Sequence, residues 1–141
     1  MQTFLPLPDY TQSAQLLDDK RLGKQRVECL QVLKALHDPD YGWQNHPAVT
    51  MWKGYTQSLV EYSLKICLEW RNRGFKDTCF DKIAEFLDPD SYWPPNPKPP
   101  WLNDEFCRSH QSNLKRKLPE HYDKLFPNVP NDLPYVWPSN N

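Results

Sequence analysis

Glu28 is the only acid on a helix face otherwise made of cations and amides. In the stretch 17–36, LDDKRLGKQRVECLQVLKAL, the helical period puts Leu22, Cys29, Leu33 and Leu36 on one face, with Leu30 at its edge. Lys20, Arg21, Lys24, Gln25, Glu28 and Gln31 fall on the other. Glu28 lies one turn from Lys24 and two from Arg21. A carboxylate in that setting can stabilise positive charge developing on a substrate or carry protons for it. The same spacing also describes a plain i,i+4 surface pair worth under about 1 kcal/mol, and the helix pattern leaves both readings open. Gly23 costs a helix about 1 kcal/mol relative to Ala, and it clears bulk beside Lys24 where a partner's backbone could approach. Arg26 falls inside the apolar stripe and must snorkel or pair with a buried acceptor.

A second basic group follows near the C-terminus, where NDEFCRSHQSNLKRK carries Arg108, His110, Asn113, Lys115, Arg116 and Lys117. The whole chain of 141 residues has a formal net charge of -1, so no global field draws it to a polyanion and any anion-binding surface must be made locally. A phosphate-contacting surface is therefore expected from Arg21, Lys24, Lys115 and Lys117 together. His46 and His110 each have a plain role open beside a phosphate contact, a helix cap for His46 and a surface position for His110. No HxxxH or HxxE pairing marks a catalytic metal, and no cofactor is expected. The four cysteines are widely spaced without a CxxC and read as reduced core thiols. No apolar run approaches about 18 residues and no leader pattern opens the chain. These features predict a soluble, monomeric, cytoplasmic protein with no membrane partner.

The length suits one domain with one core, residues 1–141. The opening MQTFLPLPDY mixes apolar residues with prolines and predicts an extended arm packed on the core. Asp9 and Gln12 resemble a capping box, so the first helix is expected over 10–37, ended by Asp38-Pro39-Asp40. Asn45 or His46 can cap a second long helix over 46–73, with Pro47 in its first turn and Gly74 as its stop. Its apolar seam is Trp52, Tyr55, Leu59, Tyr62 and Ile66. A short helix is expected over 79–87 and a last one over 103–117, stopped by Pro119. Between them SYWPPNPKPPW cannot be helix or central strand, and Trp93 and Trp101 are expected to pack down. Tyr135, Val136 and Trp137 are the expected anchors of the tail. The fold class is all-α, two long packed helices plus shorter ones, with extended proline-rich segments at both ends.

Four stretches resemble one known family. LDDKRLGKQRVE resembles the first-helix motif of the pyrimidine-dimer DNA glycosylases, the dimer-specific endonuclease V of phages and its bacterial relatives, with Glu28 at the position of the catalytic glutamate. VTMWKGYTQSLVEYSLKICLEWRNRGFKDT is similar to the family's long central helix and its closing turn. MQTFLPLPDY looks like the N-terminal arm of bacterial members, and HQSNLKRKLPEHY resembles their C-terminal basic helix.

The resemblance implies an all-helical enzyme that kinks DNA and pushes a base out of the stack. It also implies that an N-terminal α-amine attacks the sugar carbon to form an imine, assisted by the glutamate. Carried onto this chain, the catalytic groups are Glu28 and the amine of Met1. The DNA contacts are Lys20, Arg21, Lys24, Gln25, Arg26, His46, Arg108, His110, Asn113, Lys115 and Lys117. The chain departs from the phage pattern at residue 2, a Gln too large for ordinary methionine removal, and in its near-neutral charge. Three functions follow: a glycosylase, with or without lyase activity, on a damaged or modified pyrimidine in duplex or single-stranded DNA; a non-catalytic nucleic-acid-binding module; or an enzyme on a modified nucleotide or nucleoside.

Overall fold

Capping chemistry divides the first 37 residues more finely than their periodicity suggests. The structure, a computed structural model, describes residues 1–91 and 96–138, with the side chain of residue 91 left out. Asp9 opens α1 (Tyr10–Leu16), accepting the Gln12 N–H as the capping pattern predicts. The helix does not run on to residue 37. Asp18 adopts extended backbone and caps α2 (Asp19–His37) through the Arg21 N–H, so one expected helix becomes two with a corner at 17–18. His46 caps α3 (Pro47–Thr50) by accepting the Ala48 N–H. The second expected helix also breaks, because Gly54 takes a left-handed φ of 85° before α4 (Thr56–Asn72) begins. Gly74 ends α4 at a φ of 91°.

Short α5 (Phe80–Ala84), a 3-10 turn (Pro89–Ser91), α6 (Asp104–Lys117) and α7 (Pro119–Tyr122) complete the described elements. They make an all-α single compact body in which α2 packs lengthwise on α4, as expected, while α1 and α5 flank α4. Trp52, Leu59, Tyr62 and Ile66 are fully buried along the predicted seam, and Tyr55 is half-buried. All four cysteines are free and buried. Trp101 packs down edge-on to Trp52 and donates to the Met51 carbonyl at 2.9 Å, whereas Trp93 lies outside the described residues. Among the described residues no helix is long and apolar enough to cross a membrane.

The first nine residues form an extended arm threaded into the core, with residues 2–6 buried. A buried segment without a strand partner must find its hydrogen bonds elsewhere. Here side chains supply them. Every backbone N–H from Gln2 to Leu7 is accepted by a side chain: Glu28, the Gln2 carboxamide itself, Gln25, His110 and Ser13 in turn. The carbonyls of Gln2, Phe4 and Pro6 accept from Gln25, Tyr62 and Gln111. Helices α1, α2, α4 and α6 thus all hold the same short arm, which fixes its tip to a single place.

Candidate active site

The tip lies over the basic face of α2. The Gln2 N–H donates to Glu28 Oε2 at 2.9 Å, and Lys24 Nζ stands 3.5 Å from Glu28 Oε1. The Glu28 side chain is only 14 % exposed while that of Lys24 is 74 % exposed, so the acid is held from within and the cation faces water. Glu28 thus pairs with Lys24 and also accepts from the arm. Gln25 behaves like a piece of strand. Its carboxamide donates to the Gln2 carbonyl and accepts the Phe4 N–H, both at 2.7 Å, and it is 1 % exposed.

These residues line a cleft of about 360 Å³ with Met1, Phe4, Lys20, Arg21, Lys117 and Tyr135. Four cations and one carboxylate face it, a local positive field in a chain of net charge -1. Arg21 is fixed by Asp18 at 3.1 Å and reaches the Lys117 carbonyl at 3.5 Å. Asp18 is in turn held by the Tyr122 hydroxyl, which donates to Oδ1 at 2.5 Å and accepts the Asp18 N–H at 2.9 Å. Burial would raise the Asp18 carboxyl, but Tyr122 and Arg21 together outweigh it and hold it below the usual carboxylate range. Desolvation, then the positive charge of the Met1 amine, lowers His46 against a smaller opposing effect of Glu28, so all three groups share one neighbourhood.

The other predicted contact residues lie elsewhere. Arg26 finds its buried acceptor, Asp77, at 2.7 Å and lies over the Trp70 ring, away from the cleft lining. His110 is fully buried rather than on the surface. Its Nδ1 accepts the Leu5 N–H, and burial drops its pKa to about 3, so it is a neutral support for the arm. Lys115 is 8 % exposed and spends its ammonium on the Phe126 and Val129 carbonyls. Asn113 is also buried and donates to the Ser109 and Leu133 carbonyls. Of the expected four-cation surface, Arg21, Lys24 and Lys117 come together at the cleft, and Lys115 instead ties down the tail. Arg108 is exposed beside a different hollow, with Pro6, Leu7 and Pro8.

Gly23 is not an opening for a partner's backbone. A Cβ there would lie 2.8 Å from the Trp70 ring, so Gly23 is what lets α4 approach α2. Sequence reasoning also missed Tyr122, whose hydroxyl is spent on Asp18 from 104 residues away.

Compared with models of known families, residues 1–83 match the one described as pyrimidine dimer DNA glycosylase. The chain belongs to that family. No curated protein and no solved structure matches it. The matched part of this family member carries the arm, Glu28, Lys20, Arg21 and Lys24. The unmatched part adds Lys117 and Tyr135 to the same cleft. A family of this description has DNA as its substrate, and a cation-lined cleft beside a held carboxylate suits a phosphate-flanked one.

Proposed function

We propose that the protein excises a damaged or modified pyrimidine from DNA, with Glu28 and the α-amine of Met1 as its catalytic groups. The observation that carries the reading is the Gln2 N–H bound to Glu28 in the lining of a cleft that four cations share. One residue before that bond, Met1 lines the same cleft, and its amine is the nucleophile in this reading. An α-amine can act as a nucleophile toward a sugar carbon and form an imine with it. The amine nitrogen attacks the sugar C1′, the glycosidic bond breaks, and the base leaves with the electron pair and takes up a proton. Glu28 stabilises the charge that grows on the sugar. Loss of a proton from nitrogen and opening of the sugar then give an imine. From there Glu28 can shuttle the C2′ proton for β-elimination, the lyase step. Lys20, Arg21, Lys24 and Lys117 contact the flanking phosphates in this reading. The glycosylase-like domain is taken to span residues 1–141, because the cleft draws on both ends of the chain.

The test is Glu28→Gln, which keeps shape and removes charge. DNA binding is expected to persist or tighten slightly, while cleavage of the glycosidic bond in a dimer-bearing duplex falls by at least about 10². Borohydride is expected to trap the wild-type protein on DNA, at Met1 by intact and peptide mass. Full glycosidic cleavage by Glu28→Gln would end the assignment. Normal cleavage with no trapped adduct would remove the amine and leave a monofunctional glycosylase.

A further inference from the structure

The Gln2 carboxamide has one end in use and one idle. Gln2 is 6 % exposed and lines the cleft with Met1 and Glu28. Its Oε1 accepts the Thr3 N–H at 2.9 Å. Its Nε2 is buried and has no hydrogen-bond partner among the described residues. Turning the amide over gives no escape, because that would set the NH2 against the Thr3 N–H, donor against donor. The backbone is pinned as well, with the Gln2 N–H bound to Glu28 and its carbonyl to Gln25. A buried donor without an acceptor is costly, and one in the wall of a cleft is placed to be satisfied by what binds there. His110 Nε2 is unpartnered too, but that ring is packed among Phe4, Phe106 and Tyr135 and takes no part in the lining.

The neighbouring groups do not duplicate this donor. Gln25, the second carboxamide in the lining, uses both ends on the backbone of Gln2 and Phe4. Lys20, Arg21, Lys24 and Lys117 carry full charge and suit phosphate oxygens. Gln2 offers a neutral N–H, which suits a carbonyl oxygen that starts neutral and gains negative charge. The glycosidic step makes such an oxygen. As the Met1 nitrogen bonds to C1′, the pair of the N1–C1′ bond moves onto the pyrimidine and spreads over N1 and the adjacent O2. The amine sheds one proton, the base takes up one, and the carboxamide keeps both of its hydrogens. Pyrimidine O2 lies on the minor-groove edge, beside the bond that breaks, so a donor can reach it with the base still in the stack.

We propose that Gln2 is a catalytic residue of the glycosidic step: its Nε2 donates to O2 of the departing pyrimidine and holds the negative charge there, while Glu28 holds the positive charge on the sugar. The bond strengthens as O2 gains charge, so it favours the transition state over the bound substrate. The inference rests on the DNA-excision reading above and supplies its leaving-group half.

The test compares wild type with Gln2→Met, which keeps the length and bulk of the side chain and lacks the donor. One duplex carries a single cyclobutane pyrimidine dimer. A second carries a preformed abasic site, with no base left to depart. Borohydride trapping on the abasic duplex counts the molecules whose amine is in place, so any loss of fold cancels when rates are stated per trapped protein. Glycosidic cleavage at the dimer is read as strand breaks after hot alkali, because the cut base stays joined to its neighbour through the cyclobutane ring. Per trapped protein, Gln2→Met is expected to lower kcat on the dimer about 10²-fold and to leave KM within about threefold. Dimer cleavage per trapped protein equal to that of wild type would overturn the donor. So would a loss carried by KM alone, the mark of a contact made equally in the bound substrate. Wild-type protein that trapped on the abasic duplex and cut no glycosidic bond at the dimer would sink the excision reading itself. An active wild type matched by Gln2→Met would sink the donor and leave that reading standing.

Discussion

Gln25→Leu should detach the arm while leaving α2 intact. The substitution keeps volume and helix propensity, and the site is 1 % exposed, so packing changes little. What it removes is the pair of 2.7 Å bonds to the Gln2 carbonyl and the Phe4 N–H. Both backbone groups lie in a buried segment with no strand to turn to. Each orphaned group costs about 1–3 kcal/mol, giving about 2–6 kcal/mol together, a large part of an ordinary domain's stability. Urea unfolding followed by tryptophan fluorescence reads that loss. Activity should fall further than the folded fraction does, because the tip is no longer set against Glu28. Gln25→Glu sharpens the test. It keeps the acceptor for Phe4 N–H but turns an oxygen toward the Gln2 carbonyl, so the folded state favours the protonated acid and its pKa rises. Stability is then fully present below the unfolded carboxyl pKa of about 4.3 and is lost as pH rises through the folded value. Gln25→Glu should therefore approach wild-type stability near pH 4 and fall well below it at pH 8. A Gln25→Leu protein that lost under about 1 kcal/mol and kept full glycosidic cleavage would refute the view that this carboxamide holds the arm.

Three further outcomes follow from the geometry. His110 is neutral in the fold with its pKa down at about 3, so its contribution is present above the unfolded value of about 6.5 and lost as pH falls toward 3; about 2 kcal/mol should disappear between pH 7 and pH 5, and His110→Asn should flatten that dependence in calorimetry. Gly23→Ala, stabilising by about 1 kcal/mol in an open helix, should instead destabilise by about 1–3 kcal/mol because the new methyl meets Trp70, with Trp70→Leu relieving the clash in a double-mutant cycle of urea melts. Lys24→Ala and Lys117→Ala should each reduce the salt slope of DNA binding by about one counterion, whereas Lys115→Ala should leave the slope unchanged and lower the melting temperature.

Period and punctuation were enough to read the all-α class, the α2–α4 pairing, the caps at Asp9 and His46, the Gly74 stop and the buried proline-rich arm. Each depends on neighbours within a few residues, so each is written locally. The helix breaks at Asp18 and Gly54 were written there too, but a strong apolar period masked them. The site is legible only in part. Glu28, Lys24 and Arg21 sit within two turns of one another, so their types and spacing placed them on one face. Whether a cation on α6 faces water was not readable, because Lys115 and Lys117 are two residues apart and alike in chemistry. Only the tail folding back gives Lys115 two carbonyls to bind, while Lys117 is left at the cleft. Gln25 and His110 likewise looked like polar surface residues. They are buried because the arm's backbone, paired with no strand, needs hydrogen-bond partners there, and that need arises once residues 1–9 lie across α2 and α6. The sequence by itself determined which helices form and which acid sits among cations; the tertiary structure decided which polar side chains serve the backbone and which stay free for a substrate, because backbone groups withdrawn from water take the nearest partners first.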